Sequence, residues 1–126
     1  RRRSSTPSSG SSDRLDPLPR YRFERLVDEA LASLPAELAP VLDNVVIRVV
    51  DLDSDEPDLP GLYEGVPHTE RSGAEGPDVV SIFRLALCDA CDDLDELTRE
   101  VRITVMHELA HAAGIDDDRL HDLGWG

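Results

Sequence analysis

One stretch constrains this chain more than any other. In residues 94–113, Val101, Val105, Leu109 and Ala113 recur every four positions. Four residues advance only about 40° around an α-helix, so these side chains form one stripe, and Ile103, Met106 and Ala110 are expected to widen the buried face. Asp93, with Glu96 three residues on, resembles a capping box in which Asp replaces Ser or Thr, and it starts the helix. Gly114 stops it, because glycine takes a positive φ without a Cβ penalty. A chain of 126 residues suits one domain, so this long helix and its neighbours share one core.

The preceding sequence supplies those neighbours. Residues 1–19 are rich in Ser, Pro and Arg, cannot bury apolar surface, and are expected to form a disordered tail ahead of a single domain at 20–126. From Tyr21, the residues Phe23, Leu26, Val27, Ala30 and Leu31 recur at helical spacing, up to Pro35. A short helical piece follows, which Pro40 is expected to close. Val45-Val46-Ile47-Arg48-Val49-Val50 is β-branched and reads as a buried strand. In the acidic loop 51–60, Asp51, Asp53 and Asp55 alternate as in a calcium loop. Glu56 and Leu62, however, stand where such a loop needs Gly and Glu, which leaves an ordinary solvated loop. Residues 61–66 suit an edge strand or extended segment, 68–77 a polar loop, 79–84 a second strand, and 116–123 a short final helix. Cys88 and Cys91 fall in the connection before the long helix. A single C-x-x-C is a weak metal signal, so they read as two loop thiols, free or oxidised.

Charge narrows the partners. All 13 basic residues are Arg, against 27 acidic residues. Seven of those Arg lie in residues 1–25, so residues 26–126 carry six Arg against 24 acids, a net −18. Such a body repels phosphate backbones, and no nucleic acid partner is expected. No stretch approaches the roughly 20 apolar residues of a membrane span, so no membrane partner is expected either. The Arg-led N-terminus runs into Ser, Thr, Pro and Gly at residues 4–12 instead of an apolar signal region, and two cysteines make no disulfide scaffold. A cytoplasmic location is the expectation. Aromatic residues are only 4%, so the core is aliphatic and modest.

The long helix also carries His107-Glu108-Leu109-Ala110-His111. His107 and His111 project from one face, one turn apart, and can both reach a single metal at about 2.0–2.1 Å. Glu108 is offset by about 100°, so it flanks the metal and can hold the water at the open coordination position. Zinc lowers the pKa of that water towards about 7, and a carboxylate can take its proton during attack on a carbonyl. Two imidazoles need a third protein ligand. Gly114 lets the chain turn back, so Asp117, ten residues after His107, can arrive as that ligand; His121, Asp116 and Asp118 are alternatives. The five-residue motif occurs by chance in many helices. The amphipathic helix, the glycine at the turn and the acid at ligand distance distinguish this instance.

The run His107-Glu108-x-x-His111-x-x-Gly114-x-x-Asp117 resembles the zincin signature in its Asp-ended form. The closer resemblance is to the small, stand-alone minimal zincin metallopeptidase-like proteins. Gly61-Leu62-Tyr63-Glu64-Gly65-Val66-Pro67, Arg71, the strand within 77–84 and the ending Leu123-Gly124-Trp125 share in it, so it spans about residues 20–125. It implies an α+β domain, with a small mixed sheet packed against an N-terminal helix and the long active-site helix. It implies one Zn²⁺ per chain held by His107, His111 and Asp117, with Glu108 as the base and a peptide or protein as substrate. There are departures. Metzincins place a Met turn after the motif, whereas the only Met here, Met106, precedes it, and with nine residues after Asp117 no C-terminal subdomain is expected to wall a cleft. Stabilising the oxyanion falls to Tyr63, His68 and Arg71, the candidates for oxyanion or substrate contacts.

Three functions compete. The first is a zinc-dependent peptidase or amidase in which Glu108 activates water. The second is a non-catalytic metal-binding or interaction module, a degenerate zincin whose site holds the C-terminal helices together. The third is an RNA-processing metallohydrolase, because His107, His111 and Gly114-Ile115-Asp116 echo H-x-x-x-H-x-x-G-x-D-H. Asp117 replaces that pattern's last His, and the −18 body disfavours RNA. The oligomeric state is left open.

Overall fold

The structure, a computed structural model, describes residues 16–65, 78–115 and 117–122, and only the backbone at 117 and 120. Helix α1 (Arg20–Ala32) leads through a 3₁₀ segment (Ala36–Asn44) into strand β1 (Val45–Val50). Strands β2 (Gly61–Glu64) and β3 (Asp78–Phe83) follow, then helices α2 (Arg84–Asp89), α3 (Leu94–Ala112) and α4 (Asp117–Asp122). The sheet order is β1-β3-β2, with β1 parallel and β2 antiparallel to β3. The fold is therefore α+β with a small mixed sheet, in line with the sequence. No helix among the described residues is long and apolar enough to cross a membrane.

The register explains which face is buried. Gly61 stands opposite Ile82 and Tyr63 opposite Val80, while Ile47 and Val49 stand opposite the same two β3 residues on the other side. These residues share the sheet face that α3 covers. Val80, Ile82 and, across from them, Leu97, Val101, Val105 and Leu109 are closed to solvent, together with Phe23 and Val27 of α1. Each such aliphatic side chain is stabilised by about 1.5–3 kcal/mol relative to exposure. Helix α1 packs mainly along α3 and meets β1 through Arg20, whose guanidinium donates to the Val49 carbonyl.

Several expectations change. Leu18, assigned to the tail, is only 7% exposed and joins the core, and its carbonyl accepts from Arg84 Nη1 at 2.6 Å. The same guanidinium meets Asp51 Oδ1 at 3.0 Å, tying the start of the domain to the end of β1. Residues 1–15 of the expected tail lie outside the described residues. Pro40 does not close its segment, which runs on to Asn44; its fixed φ lies within the 3₁₀ range, so the ring costs one donor without ending the turn. Strand β1 is an edge strand of alternating burial, because β3 takes the central place and is the more fully buried. Cys88 and Cys91 are not joined by a disulfide and are closed to solvent; Cys88 lies within α2 rather than in a loop, whereas Cys91 sits in the connection to α3 as expected. Ile103, expected on the buried face, is 42% exposed. It lies two residues past Val101, about 200° round the helix, on the row that continues to His107.

Candidate metal centre

Helix α3 is built as its ends foretell. Asp93 Oδ1 accepts from the Glu96 backbone N–H at 2.8 Å. Glu96 Oε1 reaches back one residue further than in the usual capping box, to the Asp92 N–H at 2.9 Å. At the other end Gly114 has φ +86°. The Gly114 N–H donates to the His111 carbonyl at 2.9 Å and the Ile115 N–H to the Ala110 carbonyl at 2.9 Å. Ile115 also packs against Ala110. Both bonds and the apolar contact make a Schellman motif, which fixes where the chain leaves the helix just after His111.

On that last stretch the two imidazoles lie with ring centroids 4.5 Å apart and planes crossed at 80°. Both are half-buried, because the opposite side of the same turns, Leu109 and Ala110, is sealed in the interior. Glu108 turns towards the sheet. Its side chain is only 13% exposed, and its Oε1 stands 3.6 Å from His111 Nδ1, whose ring is 33% exposed. A paired imidazole donor set beside a carboxylate suits zinc in ligand type, and it could supply two of the three protein ligands such a site uses. Among the described residues no group of three His, Cys, Asp or Glu side chains comes together to hold a metal.

The other candidates separate. Asp117 opens α4, two residues beyond Ile115, where its backbone alone is described; Asp118 and His121 are exposed on α4, and Asp116 lies outside the described residues. His68 and Arg71 also lie outside them. Tyr63 sits on the α3-facing side of β2, and its hydroxyl donates to the buried carboxylate of Asp78 at 2.8 Å. Its single donor hydrogen serves Asp78 there, so contact with an oxyanion requires giving up that bond. A shallow hollow of about 640 Å³, lined by Arg20, Val49, Asp51 and Pro57 among others, shares no residue with the imidazole pair.

Residues 42–125 match the model of the zincin-like metallopeptidases. The chain belongs to that family. Curated proteins offer no match to it. As a zincin-like metallopeptidase, the chain falls in a zinc-binding, peptide-hydrolysing class. The match begins at Leu42 and so takes in all three strands as well as α3.

One neighbour of Glu108 was not among the site residues that the sequence pattern points to. Gly61, the first residue of β2, is buried against Thr104 and Glu108 of α3. The visible signal was a glycine opening a strand, which marks a place where another element approaches the backbone closely.

Proposed function

We propose that the chain is a zinc-dependent peptidase or amidase. In this reading His107, His111 and Asp117 hold one zinc ion per chain, and Glu108 is the acid–base residue. The observation that carries it is the convergence on one helical turn of two half-buried imidazoles, 4.5 Å apart, with a carboxylate only 13% exposed. Family membership supports the same chemistry. Zinc, when bound, supplies a Lewis acid that polarises a carbonyl and acidifies water. Glu108 takes the proton from the attacking water and returns it to the departing amine, so one side chain serves both halves of peptide hydrolysis. The low exposure of Glu108 keeps competing water away from that transfer, and His111 beside it marks where the reacting groups meet. The 24 acidic side chains of residues 26–126 favour a substrate that is not itself strongly acidic.

The test is elemental analysis of protein purified without chelator or histidine tag, followed by hydrolysis of labelled casein. The expected result is about one zinc per chain in the wild type and none in His111→Ala. Glu108→Gln should keep the metal and lose turnover by about 10²–10⁴-fold. Zinc without hydrolysis in the wild type would favour the non-catalytic module. No zinc in either protein, even after zinc is added back, would remove the peptidase reading.

A further inference from the structure

Among the described residues no hydrogen bond to the Glu108 side chain is found. Its carboxylate pairs with His111 Nδ1 at 3.6 Å, which is longer than a hydrogen bond. A long side chain with several rotamers, so placed, takes its orientation from packing. The packing surface is the backbone of β2. At Gly61 a Cβ would lie 2.7 Å from Thr104 Cγ2, 3.2 Å from Glu108 Cγ and 3.3 Å from the Ser81 carbonyl oxygen. Thr104 and Glu108 are one turn apart on α3, so Gly61 seats between their stems.

We propose that Gly61 is the positioning residue for Glu108. Its bare backbone is the surface on which the glutamate stem lies, and that contact aims the carboxylate at the imidazole pair. This rests on the reading of Glu108 as the acid–base residue. The three neighbours differ in how far they can give way. The Ser81 carbonyl belongs to β3, the central strand. Thr104 is only 6% exposed and β-branched, so within a helix its χ1 is confined to two rotamers and burial leaves it little room to move. Glu108 is unbranched and has an outlet to solvent. A methyl group at position 61 therefore strains the helix through Thr104 and turns the Glu108 side chain away. Thr104→Ser removes the nearer clash, with Cγ2, and leaves the glutamate contact in place.

The experiment compares Gly61→Ala, Thr104→Ser and the double variant with the wild type. In metal-free protein, NMR should show an NOE between the Gly61 α-protons and the Glu108 γ-protons. The double variant should recover the melting temperature lost in Gly61→Ala, while the Glu108 γ-methylene signals stay displaced. After zinc loading, the double variant should keep one zinc per chain and cleave labelled casein more slowly, by about 10–100-fold, the scale of a misplaced catalytic group. Recovery of both the γ-methylene shifts and turnover with Thr104→Ser would overturn the proposal and make Gly61 a packing residue alone. So would the absence of the NOE from the wild type. If the wild type neither binds zinc nor cleaves casein, the peptidase reading fails, and the metal-free NMR still decides whether Gly61 sets the Glu108 rotamer.

Discussion

The two ends of α3 follow one periodicity and put it to different uses. Near the start, Leu97 and Val101 are closed to solvent between the sheet and α1, and the residues around them are ordinary helix surface. Near the end, Val105, Leu109 and Ala110 continue the buried row, but the flank carries His107 and His111, both half-exposed, with Glu108 turned inward. The first part is core alone; the second has core on one side and candidate chemistry on the other. A reactive group gains precision from a helix whose far side cannot move, because a packed interior has few alternative arrangements. Stability and chemistry should then separate by face rather than by position along the helix.

The strongest way to break this comparison is to change one side chain at each end. Leu97→Ala should cost about 2–5 kcal/mol in urea unfolding, the usual loss for a buried leucine with no room to collapse. His107→Ala, on the half-exposed flank, should change the stability of the metal-free protein by only about 0.5 kcal/mol. Its effect should appear when zinc is added. At roughly one hundred times the dissociation constant, zinc should stabilise the wild type by about 2.7 kcal/mol and His107→Ala by almost nothing. If His107→Ala destabilised the metal-free protein as much as Leu97→Ala does, the imidazole would be a core group and the division by face would be wrong.

Much of this division was legible in the sequence, because it depends on local periodicity. The fourfold spacing of Val101, Val105, Leu109 and Ala113 pointed to the buried row, of which Ala113, at the C-cap, is exposed instead, and Asp93 and Gly114 marked the ends. What stayed hidden depends on contacts distant in sequence. β1 and β3 look alike as runs of β-branched residues, and only the order β1-β3-β2 makes one an edge and the other the centre. Leu18 sits in a polar, proline-rich stretch, yet its side chain joins the core cluster and its carbonyl accepts from Arg84, 66 residues away. Ile103 misled because an apolar residue on a helix is easily added to the nearest stripe; the angle places it on the histidine row. Gly61 beside Glu108 involves two residues 47 positions apart, which no local pattern encodes.

A smaller effect sharpens the same contrast. Asp93→Ala removes the side-chain acceptor for the Glu96 N–H and should cost about 1 kcal/mol. Because the loss is confined to the first turn, zinc stoichiometry should stay at its wild-type value. A fall in bound zinc with Asp93→Ala would mean that fraying at the start reaches the histidines, so that the helix behaves as one unit rather than as two ends with separate duties.

The smallest effect lies just before α3. The Cys88 thiol is 1% exposed, and burial pushes its pKa up from the ordinary 9.0, against weaker opposing effects of a hydrogen bond with the Leu18 backbone and the charge of Arg84. The unfolded chain therefore ionises this thiol before the folded one does. The stabilisation from keeping it neutral is fully present below about pH 9 and is lost as pH rises through the higher folded value. Urea unfolding of the metal-free protein between pH 7.5 and 10 should show a steeper alkaline loss for the wild type than for Cys88→Ala, which removes this titration and leaves the others. Equal slopes would mean that the thiol meets solvent on the way to ionising, and that the core before α3 is looser than its packing indicates. A steeper wild-type slope would place the alkaline weakness of the domain in the buried layer that supports the helix, apart from the histidine flank.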